Sequence, residues 1–174
     1  MQAVEASMQS EEKQRTNNMS ELTVSDGSCS SCQGFWDALD YLESIPGAFV
    51  MYAGPLSCMR YSVVGAVTPG DRQRTAYLVL SESDIVLGRT EDCIADAVDE
   101  VMETRGITPR LLLIFLSCDA LLIGLDADAL AHRIEESHPS ISVRPMLIEG
   151  LAQNASDRFL DSLHQICDEF VGLS

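Results

Sequence analysis

The chain has 174 residues, of which 46% are hydrophobic and 22% are charged, a composition typical of one packed globular domain rather than of a disordered protein. Its 27 acidic and 11 basic side chains give a formal net charge of −16. A surface this acidic repels phosphate backbones and anionic lipid headgroups, which argues against a nucleic-acid-binding or membrane-surface-binding function.

The number of cysteines points to a function beyond stability. A domain of this length buries roughly 70% of its unfolded surface and needs no disulfide bonds to fold, yet the chain has six cysteines. Charged residues such as Glu11 and Lys13 stand where a secretory signal would be apolar. The most apolar run, residues 111–125, is interrupted by Asp119 and is too short for a membrane span. We therefore expect a cytoplasmic, reducing location, where grouped cysteines more often bind metal or do redox chemistry.

Hydrophobic periodicity predicts alternating helices and strands after a polar, mobile tail over residues 1–28, in which Met19 is an alternative start of translation. The predicted elements are, in chain order, a helix over 33–44, a strand over 48–53, a segment of either type over 61–67, strands over 75–80 and 84–87, a helix over 91–104, a strand over 110–116, a helix over 126–137, a strand over 141–146 and a helix over 156–171. Such alternation implies right-handed crossovers and a mainly parallel sheet. The predicted fold class is α/β, a single Rossmann-like three-layer domain over residues 29–174.

Three of the cysteines occupy positions that suit metal binding. Cys58 follows the strand over 48–53, and Cys118 follows the strand over 110–116. Because the carboxyl ends of parallel strands meet at one edge of a sheet, both thiols are expected at that edge. Cys32 opens the first predicted helix, and a helix N-terminus favours the thiolate form that binds metal. Thiolates from separate loops suit an iron–sulfur cluster or zinc.

The other cysteines allow several interpretations. The pair Cys29-x-x-Cys32 fits half of a zinc site, a thioredoxin-like redox pair or two unrelated thiols. Cys93 and Cys167 lie within or beside the apolar faces of predicted helices, so we expect them to be core residues rather than ligands.

No other pattern of catalytic residues stands out. The histidines share no motif and are expected at the surface or at helix ends: His132, His138 and His164. The sequence also contains neither a G-x-G-x-x-G between a strand and a helix nor a G-x-S-x-G, so neither a dinucleotide site nor a serine hydrolase is indicated.

Three segments, in the same order along the chain, resemble the nitrogenase component 1 family. Residues 52–62, which include Gly54, Pro55 and Cys58, resemble its HGPxGCxxYS segment. Residues 83–88 resemble its xDIVFGG strand and turn, and residues 117–126 resemble its TCxxxLIGDD segment. The spacing from Cys32 to Cys58 is also similar to that between the first two cluster cysteines of the nitrogenase alpha subunit.

The resemblance implies a site. In this family, which includes nitrogenase and the dark-operative protochlorophyllide and nickel-tetrapyrrole reductases, three such cysteines hold an iron–sulfur cluster at a subunit interface. By position these ligands are Cys32, Cys58 and Cys118, and the fourth ligand of a [4Fe–4S] cluster would be Cys29 or a residue of a partner chain. The resemblance further implies that Gly54 and Pro55 shape the turn against the cluster, and that Gly124 turns the chain into the next helix.

The chain also departs from the family pattern. Relatives have three Rossmann-like domains, of which this chain corresponds to the first, and the downstream cysteine and histidine that hold the catalytic cofactor of nitrogenase have no counterpart. Ala53 replaces the histidine of HGPxGC, and Leu125 replaces the first aspartate of GDD. Dinitrogen reduction by this chain alone is therefore not expected.

The function expected from this resemblance is electron transfer within an oligomeric oxidoreductase. The chain would form a homodimer, or a heterodimer with another component 1-like chain, and an ATP-dependent iron-protein reductase would supply electrons. Two alternatives remain open: a non-catalytic cluster or metallocofactor carrier or assembly scaffold, and a zinc or thiol-redox protein that uses Cys29 and Cys32.

Overall fold

A parallel sheet of four strands lies at the centre of the computed structural model, which describes residues 45–58, 73–147 and 155–171. The strands are β1 (Ala48–Gly54), β2 (Thr75–Val79), β3 (Leu111–Leu116) and β4 (Ser142–Leu147). Their order across the sheet is β2-β1-β3-β4, and every neighbouring pair is parallel. The predicted α/β class with a mainly parallel sheet is confirmed.

Helices pack on both faces of the sheet. Those within the described residues are α1 (Glu82–Val86), α2 (Thr90–Arg105), α3 (Cys118–Leu122), α4 (Ala127–Ser137) and α5 (Ala155–Val171). Helix α2 ends at Gly106, whose φ of 59° is a left-handed conformation that ordinary side chains disfavour. Helix α4 begins at Asp126, whose carboxylate accepts a hydrogen bond from the Ala129 N–H at 2.9 Å.

The two central strands are buried on both faces, which explains why they are apolar throughout. Side chains of β1 and β3 alternate between two hydrophobic clusters. On one face Phe115 belongs to the same cluster as Leu163 and Phe170 of α5. On the other face Ile114 belongs to the same cluster as residues of α2 and α4. Helices on both faces of one sheet give the three layers that the sequence predicts.

The prediction of a strand at 84–87 is wrong, because this segment lies in and just after helix α1. The Ser81 side chain accepts from the Asp84 N–H at 3.2 Å, while the Asp84 carboxylate accepts from the Ser81 N–H at 3.3 Å. This reciprocal cap starts the helix, and the Ser81 hydroxyl that donates to Asp84 lowers the pKa of that carboxyl. The apolar residues that suggested a strand are not buried, since Val86 is 83% exposed.

Strand β4 lies at an edge of the sheet and contains a proline. Pro145 pairs in register with Ile114 of β3, and proline in a sheet is tolerated mainly on edge strands because it has no amide hydrogen. Arg144, next to it, forms ion pairs with Glu135 at 3.6 Å and with Glu169 at 3.1 Å. These contacts join the edge strand to α4 and α5.

Several sequence predictions lie outside the described residues, namely the tail over 1–28, the helix over 33–44 and the ambiguous segment over 61–67. Within the described part of the chain, no helix is both long and apolar enough to span a membrane.

Candidate metal-binding site at the carboxyl edge of the sheet

The strand order places a reversal in the direction of the connections between β1 and β3. After β1 the chain proceeds to β2 on one side, and after β3 it proceeds to β4 on the other side. In open parallel sheets, ligands bind beyond the carboxyl ends of adjacent strands whose connections leave in opposite directions. The end of β1 and the end of β3 are therefore the place where a site is expected.

Two of the predicted ligands follow these two strand ends. Cys58 lies in a helical turn after β1, in which its N–H donates to the Pro55 carbonyl at 3.0 Å. Cys118 is the first residue of α3, directly after β3. Since Ala53 and Leu116 are paired in register, both strands end at nearly the same level. Both thiols are partly exposed, whereas Cys29 and Cys32 lie outside the described residues.

The two strand ends are in close contact through Gly54 and Ser117. The Ser117 N–H donates to the Ala53 carbonyl at 3.2 Å. A Cβ placed on Gly54 would lie 2.2 Å from the Ser117 Oγ and 2.8 Å from the Ser117 Cβ. Only glycine therefore fits at position 54 while Ser117 keeps its place. The resemblance assigns Gly54 to the cluster turn, and the contact that requires a glycine here is one with Ser117.

Two polar residues that the sequence analysis did not single out complete this contact. The Ser117 side chain is 2% exposed, and its hydroxyl donates to the Asp119 Oδ1. The other oxygen of Asp119, Oδ2, is buried and has no hydrogen-bond partner among the described residues. The only signal in the sequence is a Ser-x-Asp spacing after an apolar strand, which is too common to identify a site by itself.

Gly124 lies where the chain leaves α3. Its φ is 69°, a left-handed conformation, and its N–H donates to the Leu121 carbonyl at 3.2 Å. The chain then reaches Asp126, the cap of α4, within two residues. A residue with a Cβ would be strained in this turn.

Large apolar side chains are exposed next to both candidate ligands. Leu56 precedes Cys58 and is 63% exposed, and Leu122 follows Cys118 and is 73% exposed. Leu121 is exposed to 54% of its surface. Single exposed leucines are ordinary. Several exposed leucines beside the same candidate site are typical of a surface that another protein covers.

The two thiols at this edge are ligands that suit an iron–sulfur cluster or zinc, but two ligands do not complete either kind of site. Cys58 and Cys118 can supply two thiolates, which are ligands preferred by iron–sulfur clusters and by zinc. No group of three or more cysteine, histidine or acidic side chains within residues 45–58, 73–147 and 155–171 could hold a metal ion. A complete site therefore needs donors from outside those ranges.

Cys167 is a core residue, as the sequence predicts, whereas Cys93 is half-buried like Cys58 and Cys118 and does not lie in either hydrophobic cluster of the described residues. Cys167 is 8% exposed and packs in the core with Leu163 of α5. Burial, followed by the nearby charge of Asp168, raises the pKa of the Cys167 thiol. Cys93 is half-buried in α2, and burial also raises its pKa. The expectation that Cys167 is a core residue is confirmed.

The histidines lie at the surface or at a helix end, as the sequence predicts. His138 caps the end of α4 and its Nε2 lies 2.7 Å from the Asp99 Oδ1. The His132 Nε2 lies 3.5 Å from the Glu136 Oε1 on the exposed face of α4. His164 is exposed on α5.

Thiol reactivity separates the candidate ligands from the core cysteine. In the metal-free chain, iodoacetamide is expected to modify Cys118 at least about tenfold faster than Cys167, because a buried thiol reacts only after local opening and its thiolate fraction is lower. Since the pKa of Cys167 is raised, its rate continues to increase at pH values where that of an ordinary thiol has levelled off. Peptide mass spectrometry over a pH series measures both rates. Equal rates for the two cysteines would contradict this assignment.

Comparisons with known proteins agree with this architecture. The sequence model of a family described as Nitrogenase component 1 type Oxidoreductase matches residues 35–172. Over 138 residues the chain is 28% identical to the nitrogenase iron-molybdenum cofactor biosynthesis protein NifE of Clostridium pasteurianum, an alignment covering 77% of this chain and 28% of that protein.

Among solved structures, nitrogenase Cp1 at pH 5 is similar in fold, with a TM-score of 0.54 and 22% identity over 77% of this chain and 28% of that one. Nitrogenase Cp1 at pH 6.5 gives a TM-score of 0.48 and 23% identity over 69% of this chain and 23% of that one. The chain thus spans 28% of the length of both NifE and the first of these structures.

Proposed function

Because the chain belongs to the nitrogenase component 1 type oxidoreductase family, we propose that it is an iron–sulfur-binding domain that takes part in electron transfer within an oligomer. The observation that carries this proposal is the position of Cys58 and Cys118, which follow the adjacent parallel strands β1 and β3, whose connections leave in opposite directions. The proposed domain comprises residues 29–174, with residues 1–28 as a tail.

We assign a [4Fe–4S] cluster to this edge, with Cys32, Cys58 and Cys118 as three of its ligands. When bound, such a cluster accepts and releases one electron at a time. The chain's own residues hold it: Gly54 and Pro55 form the turn before Cys58, and Ser117 packs against Gly54 beside Cys118.

Cys32 lies outside the described residues, and its place in this set rests on the family resemblance. The 26 positions from Cys32 to Cys58 are similar to the spacing of the first two cluster cysteines in that family.

The fourth ligand is Cys29 or a residue of a second component 1-type chain. The exposed leucines at positions 56, 121 and 122 support such a partner, because they lie beside both described ligands. A second chain would cover them and exclude water from the cluster. By family resemblance, the electron donor is an ATP-dependent iron-protein reductase, and the net charge of −16 favours a partner with a basic docking surface. We place this complex in the cytoplasm.

A second function is favoured by one of the comparisons. NifE is named as a cofactor biosynthesis protein, which supports a carrier or assembly scaffold for a cluster or metallocofactor. Such a protein uses the same three cysteines but has no need of a substrate cavity. The two functions differ in whether the bound group is reduced in place or handed to another protein.

Anaerobic purification of the full chain tests the proposal. The expected product is brown, contains about four iron and four sulfide per cluster, and elutes as an assembly of at least two chains. Reduction of the cluster by a reductase with ATP supports electron transfer, whereas release of iron and sulfide to an acceptor protein supports the carrier function. A colourless chain that binds zinc, or one with a reducible Cys29–Cys32 disulfide, contradicts both.

A further inference from the structure

Asp119, the residue after Cys118, has an unusual pair of contacts. One carboxylate oxygen, Oδ1, accepts a hydrogen bond from the Ser117 hydroxyl. The other, Oδ2, is buried and accepts no hydrogen bond from any residue that the structure describes. A buried acceptor without a donor costs free energy, so such a group in a native structure calls for an explanation, and one explanation is a role beside a bound ion or redox group.

Ser117 connects Asp119 to the end of β1. Its N–H donates to the Ala53 carbonyl at 3.2 Å, and its side chain fills the space that a Cβ on Gly54 would need. Cys118 lies between Ser117 and Asp119 in the chain, so the bond between these two fixes the turn that carries the thiol. The other side of the contact, at Gly54, continues directly into the turn that carries Cys58.

We propose that Asp119 is a positioning residue for the Cys118 ligand, acting through Ser117, and that its second oxygen places a negative charge beside the bound metal group. The inference rests on the proposed function. The hydrogen bond alone does not require a carboxylate, since the oxygen of an asparagine would accept equally from Ser117. What a carboxylate adds is charge, and the net charge around an iron–sulfur cluster is one of the factors that set its reduction potential.

Substitutions at Asp119 separate the effect of its hydrogen bond with Ser117 from the effect of its charge. Asp119→Asn retains an acceptor for Ser117 and removes the charge, so the full chain should keep its iron and sulfide while the midpoint potential becomes more positive. Asp119→Ala removes the acceptor as well, so the iron content should fall severalfold. Asp128→Asn is the matched control, because Asp128 is exposed on α4 and loses the same charge. It should change neither quantity.

A second measurement does not depend on a bound cluster. In the metal-free chain, Asp119→Ala should raise the alkylation rate of Cys118 severalfold and leave that of Cys167 unchanged, while Asp119→Asn should leave both near the wild-type rates. The inference is overturned if Asp119→Ala changes neither the iron content nor the reactivity of Cys118, or if Asp119→Asn leaves the potential unchanged. A wild-type chain that binds no iron would contradict the proposed function, and the alkylation rates would still decide whether Asp119 positions Cys118.

Discussion

Replacement of Cys118 by alanine is expected to lower the bound iron and sulfide by about tenfold or more, while the chain stays folded. Loss of residues that merely orient a ligand already reduces metal affinity by about 10- to 100-fold, and Cys118→Ala removes a proposed ligand itself. Cys118 is partly exposed at the start of a short helix, so its thiol contributes little to the core. Iron and sulfide analysis after anaerobic reconstitution measures the loss, and circular dichroism checks the fold.

Two further variants make this experiment decisive. Cys58→Ala should lose the metal group to a similar extent, because it removes the other proposed ligand within the described residues. Cys167→Ser is the matched control: it should keep full iron content but destabilise the fold by about 1–3 kcal/mol, since it places a hydroxyl in the core. Full iron content in Cys118→Ala would show that the ligand assignment is wrong.

Gly54→Ala is expected to destabilise the metal-free chain by about 3 kcal/mol, near the upper end of the usual cost of overpacking. The added Cβ would lie 2.2 Å from the Ser117 Oγ and 2.8 Å from its Cβ. Ser117 is 2% exposed and cannot move aside into solvent, so the ends of β1 and β3 have to separate. Urea unfolding followed by circular dichroism measures the loss, as a lower midpoint with an unchanged slope.

A compensating substitution tests the stated cause. Adding Ser117→Gly to the Gly54→Ala variant removes both atoms of the clash and should recover a large part of the lost stability. If the double variant is no more stable than Gly54→Ala alone, the contact with Ser117 is not the reason for a glycine at this position.

The sheet and its helices could be predicted because their patterns are local. The continuous apolar run of β3 is typical of a strand buried on both faces, and the apolar residues of α2 recur at helical spacing. The prediction of a strand over 84–87 was wrong because a short apolar run fits either a strand or an exposed helical turn. The spacing of Ser81 and Asp84, a capping pair, was the signal that distinguished the two.

The site could be predicted only in part. The positions of Cys58 and Cys118 follow from the parallel arrangement of the strands, because each cysteine comes within four residues of a strand end. The role of Ser117 does not follow, because it depends on contact with Gly54, far away in the chain. Nor does a single sequence indicate which carboxylate will have a buried oxygen without a donor in the described part of the chain, as Asp119 has. Such features arise from packing between turns and have no local pattern.

Pro145 on the edge strand has a consequence for self-assembly. A strand from another molecule that adds beside β4 needs a regular row of amide hydrogens and carbonyls, and the row at Pro145 lacks one hydrogen. Arg144, next to it, is also charged, which discourages fibril-like stacking along this side. When copies of the chain are crowded or newly synthesised, Pro145 and Arg144 therefore oppose the addition of strands from other copies beside β4.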